Sequence, residues 1–155
     1  MVVEGKSSPD IEFDLDDGSK TRLSGLRGRP VVLYFYPKDD TPGCTTEAKD
    51  FSCLVDDFKH AGADVIGVSP DDAKSHKKFR DKHALAIKLA SDVDKAIAQT
   101  FGVWVEKSMY GKTYMGVERA TFLVDKAGKV AKAWRKVKVK GHAEEVLAAV
   151  KALKP

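Results

Sequence analysis

Val31-Val32-Leu33-Tyr34-Phe35-Tyr36-Pro37-Lys38-Asp39-Asp40-Thr41-Pro42-Gly43-Cys44 decides how this chain is read. It begins with an unbroken apolar and aromatic run, rich in β-branched residues, which is the pattern of an inner strand buried on both faces. Arg29-Pro30 punctuates the start of that run. A stiff loop follows from Pro37 to Gly43. The spacing of Ala48, Phe51, Leu54, Val55 and Phe58 then predicts a helix from about Cys44 to His60. Strand, loop and helix in that order put Cys44 at the C-terminal edge of a sheet, where open α/β sheets carry their reactive groups.

Upstream, Ile11 to Leu15 alternates apolar and polar, Asp17-Gly18 is a turn, and Lys20 to Leu23 returns as the second arm of a β-hairpin. Downstream, Ala63 to Val68 reads as a second inner strand. Asp71 or Asp72 caps a helix running to about His83. A short helix is predicted over Lys95 to Phe101. Ala120 to Val124, a turn at Lys126-Ala127-Gly128-Lys129, and Val130 to Trp134 predict an antiparallel hairpin. A last amphipathic helix spans His142 to Leu153, with Val146, Leu147, Val150 and Leu153 on one face. The order implies an α/β fold: a central mixed β-sheet with helices on both faces, an N-terminal β-hairpin, a second hairpin on one edge, and right-handed crossovers. With 155 residues, no repeat and no linker, residues 1–155 are expected to form one domain.

Hydrophobic residues make up 43% and charged residues 32%, enough apolar surface for a core and too much for a disordered chain. No apolar run approaches the ~20 residues of a membrane span, and Met1 to Lys6 has no apolar signal region. A cytoplasmic location with no membrane partner is therefore expected. The net charge is +4, and many of the cations lie between Lys126 and Lys140. Such a stripe can bind nucleic acid, but no nucleic-acid motif accompanies it. A solvated face, or an edge strand kept soluble by lysines, is the expectation, with no nucleic-acid partner. His76 and His83 stand seven apart, too far for metal-ligand spacing, so no metal is expected. With His60 and His142 they read as surface or helix-end residues. Trp104 and Trp134 read as packing residues. Met109-Tyr110-Gly111 sits in a loop that either walls a pocket or crosses the surface. No glycine-rich phosphate loop follows a strand, so no nucleotide cofactor is expected.

The only cysteines are Cys44 and Cys53, too few for a disulfide-stapled domain. Cys44 falls at or near the first residue of its helix. The unpaired N–H groups and the positive end of the helix dipole there favour a thiolate over a thiol. The alternative is a small core residue at the foot of the Ala48, Phe51, Val55, Phe58 stripe. Three features favour reactivity. Pro37 and Pro42 stiffen the approach, Gly43 lets backbone come close, and the hydroxyl of Thr41 can reach the same pocket.

Pro37-x-x-x-Thr41-x-x-Cys44 resembles the active-site motif of the peroxiredoxins. The longer run from Tyr34 to Ala48 is similar to the peroxiredoxin Q branch, also called bacterioferritin comigratory protein. The similarity continues at Gly67 to Asp71, Met109 to Lys112, Gly116 to Leu123 and Ala133 to Val137, and covers nearly the whole chain. The resemblance implies a thioredoxin-like fold and a cofactor-free thiol peroxidase serving antioxidant defence. In it the Cys44 thiolate attacks a hydroperoxide, releases water or alcohol, and becomes a sulfenic acid that thioredoxin or another thiol reductant recycles. It further implies that Thr41 orients the peroxide. Arg119 and the N–H groups of Gly43 and Cys44 hold the developing charge, and Pro37 shapes the loop. A monomer or weak dimer is expected. Without the resemblance, Arg119 is a charge at a strand start whose plain partner is Glu118.

The second cysteine departs from the commonest pattern. Many members of the branch have a resolving cysteine where this chain has Lys49, others where it has Arg80. Nine helical residues put Cys53 ~13 Å along from Cys44 and on the opposite face, so the two cannot bond while the helix stands. Two routes stay open. Either the helix unwinds after oxidation and Cys53 resolves Cys44 as an intramolecular disulfide, or an outside thiol does so. Two other functions compete. A thioredoxin-like disulfide oxidoreductase needs a second cysteine where Glu47 stands. A non-catalytic binding protein would use the basic Lys126 to Lys140 stretch.

Overall fold

The computed structural model describes residues 2–153; Met1, Lys154 and Pro155, the ends of the expected domain, lie outside the described residues. After the hairpin of β1 (Glu12–Leu15) and β2 (Lys20–Arg22), Val31–Phe35 forms β3. β3 pairs in parallel with β4 (Asp64–Ser69) and antiparallel with β8 (Ala120–Val124). With both edges bonded and both faces covered, all its residues are buried, which is why the run carries no polar alternation. With β5 (Lys88–Ser91) and β9 (Val130–Trp134), the mixed sheet has the order β2-β1-β5-β4-β3-β8-β9. A hairpin therefore closes each edge.

β3 feeds two cores. Val31, Leu33 and Phe35 join Phe13, Phe101 and Phe122 on one face. Val32 and Tyr34, with Tyr36 just beyond, join Phe51, Phe58, Phe79 and Val146 on the other. That second core is lined by α1 (Pro42–Cys53), α2 (Val55–His60), α3 (Ala73–His83) and α5 (His142–Lys151). The first is covered more lightly, by α4 (Ala96–Thr100) and the 3-10 turn Leu23–Leu26. Helices thus lie on both faces, as expected, but unevenly. Among the described residues no helix is long and apolar enough to cross a membrane.

Several expectations need correction. The helix expected over Cys44 to His60 starts at Pro42, because proline suits the first helical position. It also breaks at Leu54 into α1 and α2. No glycine or proline marks that break, and the apolar stripe runs through it unchanged. β5 was not expected: Lys-Leu-Ala-Ser is too short and too mixed to signal a strand, and its neighbours β1 and β4 supply the pairing. Nor was the separate two-stranded sheet of β6 (Trp104–Met109) and β7 (Lys112–Val117). Its turn, Tyr110-Gly111, has positive φ at both residues, as two-residue hairpins of this hand need. Tyr110 is 98% exposed, so this loop crosses the surface. His76 is buried, not a surface residue; His142 does stand at a helix end, as the first residue of α5, but is buried as well. His76 shares the inner face of α3 with Phe79, and a polar letter there reads as exposed until the packing is known.

Candidate active site

Thr41 is the extended N-cap of α1, followed by Pro42, Gly43 and Cys44. The Thr45 N–H donates to the Thr41 carbonyl at 2.8 Å and closes the first turn. The N–H groups of Gly43 and Cys44 precede the first carbonyl the helix can offer them, so they point to the cap region as donors. The Thr41 hydroxyl does not cap the helix. It donates to the Lys38 carbonyl at 2.9 Å, which leaves its lone pairs free to accept. Pro37, half-buried, opens the loop directly after the Tyr36 end of β3.

Arg119 reaches this end of α1 from the junction of β7 and β8. Its Nη2 donates to Cys44 Sγ at 3.3 Å and its Nη1 to Glu47 Oε1 at 2.6 Å. A Cβ on Gly43 would stand 3.2 Å from Nη2, so the glycine makes room for the guanidinium. The pairing expected with Glu118 does not occur; Glu118 faces Arg135 at 3.8 Å instead. Cys44 itself is buried and free. Cys53, also free, is the exposed last residue of α1, on the far end of the helix. The structure thus gathers Gly43, Cys44 and Arg119, sets Thr41 and Pro37 at the rim, and leaves Cys53 apart.

Sequence reasoning missed Glu47, noting it only where a second cysteine was absent. It lies one turn beyond Cys44 on the helix face it shares with Ala48 and Phe51, and that placement was the available signal. Burial pushes its carboxyl up to about 7, against the pull of the Arg119 guanidinium, with Asp50 adding to the rise. Its Oε2 has no partner among the described residues. For Arg119, burial works against the charge, but Glu47 and Cys44 outweigh it and raise the pKa. The Tyr34 phenol behind them is held well above its ordinary value by burial, then by Glu47 and Cys44. A guanidinium shared between a buried carboxyl and a sulfur can steady negative charge on that sulfur and on an oxygen beside it.

Among the described residues one cluster has metal-like spacing: Asp39, Asp71 and His76. The spacing of histidines along the sequence did not foreshadow it. Its atoms already bond one another and neighbouring groups.

A thioredoxin-like sheet with a cysteine at a helix N-terminus, faced by an arginine, defines a thiol-based redox protein. Comparison with known proteins narrows this. The AhpC/TSA family pattern matches residues 5–133. Peroxiredoxin Bcp of Bacillus subtilis is 49% identical over 97% of this chain and 97% of its own. Peroxiredoxin Bcp of Xanthomonas campestris is 52% identical over 92% and 89%. The structure of Xanthomonas campestris peroxiredoxin Q superposes with a TM-score of 0.88 at 51% identity, covering 92% of this chain and 90% of that one. The chain belongs to the AhpC/TSA family, in its peroxiredoxin Q branch, and is a thiol peroxidase.

Proposed function

We propose that Cys44 is the peroxidatic cysteine and that it reduces hydrogen peroxide and organic hydroperoxides. One observation carries the reading: Arg119 Nη2 donates to Cys44 Sγ at the N-terminus of α1. The Cys44 sulfur attacks one peroxide oxygen, the O–O bond breaks, and the departing oxygen takes a proton to leave as water or alcohol. Cys44 is then a sulfenic acid. The Thr41 hydroxyl, already donating to Lys38, accepts the peroxide's proton side. Arg119 and the N–H groups of Gly43 and Cys44 face the charge that develops on the breaking bond. Organic hydroperoxides fit because a solved Xanthomonas campestris relative is described for its alkyl peroxide reduction activity.

For recycling we favour an outside thiol such as thioredoxin. It attacks the sulfenic sulfur and releases water, giving a mixed disulfide. A second thiol of the reductant then frees Cys44 and leaves the reductant oxidised. Cys53 sits ~13 Å along an intact helix and is a bystander in this reading. The whole chain acts as one cytoplasmic domain, monomeric or weakly dimeric. Peroxide turnover with a thioredoxin system tests the assignment. Wild type should turn over and Cys44→Ser should be inert with its fold kept; turnover near wild type in that variant would overturn it.

A further inference from the structure

Asp39 lies in the catalytic loop, five residues ahead of Cys44, and is buried. Three donors converge on its carboxylate. The Tyr36 hydroxyl reaches Oδ1 at 2.6 Å, while the Ser75 hydroxyl and His76 Nδ1 each reach Oδ2 at 2.8 Å. His76 is 0% exposed, and its other nitrogen, Nε2, stands 3.0 Å from the Ala90 carbonyl oxygen on β5. Both ring nitrogens therefore face acceptors. A neutral imidazole has one N–H and can serve only one of them; the imidazolium serves both. The proton count follows from these partners.

The loop backbone hangs from this pair. In the Lys38–Asp39 peptide, the N–H donates to Asp71 Oδ2 at 2.8 Å and the carbonyl accepts the Thr41 hydroxyl at 2.9 Å. The peptide is planar and trans, so its N–H and C=O point opposite ways, and fixing Asp39 fixes where the Thr41 hydroxyl is held. Asp40, next in the chain, is left-handed with φ of 59°. It is tied to Lys82 at 2.7 Å and His83 at 2.8 Å, both on α3. Without such anchors a non-glycine residue pays for that conformation with no return.

We propose that His76, as an imidazolium, is a positioning residue for the peroxidase reaction: it holds Asp39 and, through the Lys38–Asp39 peptide, sets the Thr41 hydroxyl against the peroxide. This rests on the roles of Thr41 and Cys44 given above. The charged groups bearing on His76 are Asp39 of the loop and Asp71 between β4 and α3. Tyr36, from the end of β3, stays a phenol donor because burial holds its pKa well above the ordinary value. Burial disfavours the charged ring, but Asp39, the Ala90 carbonyl and Asp71 outweigh it, so its pKa lies above 6.5. A raised histidine pKa means the clamp is complete below the unfolded value and is lost as pH rises through the folded one.

The test compares two second-order rates at Cys44, followed by mass spectrometry: oxidation by hydrogen peroxide and alkylation by iodoacetamide. Both scale with the thiolate fraction, so their ratio cancels it and reports positioning of the peroxide; Glu47→Gln, which removes the other group titrating in this window, should keep the same profile. In wild type the ratio should fall on the order of tenfold between roughly pH 6 and pH 9. In His76→Gln it should start lower, by a similar factor, and stay flat. A flat wild-type ratio across that range, or wild-type peroxide kinetics in His76→Gln, would overturn the proposal. The wild-type profile decides even if the variant does not fold. Cys44→Ser separates the two failures: if it still reduces peroxide, the assignment of Cys44 falls, whereas an inert Cys44→Ser with a flat ratio sinks only the role of His76.

Discussion

The two ends of α1 carry the two cysteines of the chain, and little else about them is alike. At the N-terminal end Cys44 is buried, faces Arg119, and follows a loop tied by hydrogen bonds to Asp71, between β4 and α3, and to Ser75 on α3. At the C-terminal end Cys53 is exposed, and the helix breaks at the next residue. The same side chain is thus set in two environments nine residues apart. Any difference in reactivity between the two thiols must therefore come from the tertiary contacts around one helix terminus, since the thiol itself is common to both ends.

Replacing Cys44 by serine removes the proposed nucleophile and has the largest expected effect. Next comes Arg119→Ala, which makes the first end of α1 more like the second. The peroxide step at Cys44 should slow by ~10²–10³-fold, the usual loss when one donor facing developing charge is removed. Stopped-flow oxidation of the single-turnover enzyme measures it. Arg119→Lys should recover only part of the rate. One ammonium cannot serve Sγ and Oε1 together as the guanidinium fork does. A full-speed Arg119→Ala variant would leave the contrast between the two cysteines without its physical basis.

This contrast was partly legible in the sequence. The run Val31 to Tyr36 announced a central strand because burial on both faces leaves no room for polar alternation. The Pro/Gly loop put Cys44 in the first turn of its helix, where the structure has it, although the helix begins two residues earlier, at Pro42. Arg119, by contrast, stands 75 residues from Cys44, and no local pattern could bring the two together; only the family motif did. Glu47 and His76 were missed for one shared reason. Each is a polar residue on the buried face of a helix, and polar letters read as solvent-facing until their partners are seen. The β6–β7 hairpin was missed because its strands, with exposed Met109, Tyr114 and Met115, bury little and so show no inside-outside rhythm.

A smaller effect should follow from Glu47→Gln, which keeps an acceptor for Arg119 Nη1 but removes the carboxyl that titrates. The folded pKa is about 7 against an ordinary 4.5, so the native state holds a proton that the unfolded chain gives up. Stability from this group is therefore greatest at low pH and declines as pH rises from 4.5 to about 7. Glu47→Gln should flatten that decline, read as denaturant midpoints for both proteins at either end of the window. Its peroxide rate should change less than tenfold, since the guanidinium stays on Cys44. A wild-type slope that survives in the variant would place the titration elsewhere.

The smallest expected effect is at Cys53. Disulfide formation needs the two Cα atoms within ~7 Å, and the intact helix holds them about twice as far apart. Closing that gap means opening α1 across Ala48 and Phe51, both buried, with Phe51 stacked on Tyr34 at a centroid distance of 4.6 Å. Exposing one phenylalanine costs ~1.5–3 kcal/mol, and each backbone hydrogen bond given up costs a further ~0.5–1.5 kcal/mol net. An outside thiol does not require Cys53 to travel that distance. Cys53→Ser should therefore turn over peroxide with thioredoxin within about twofold of wild type, as surface changes away from a site usually do. One equivalent of peroxide should leave Cys53 open to alkylation while Cys44 carries the oxidation, as peptide mapping of the non-reduced protein would show. A Cys44–Cys53 disulfide in that map would mean that α1 opens during the cycle, and that its exposed end, already broken from α2 at Leu54, is where the opening begins.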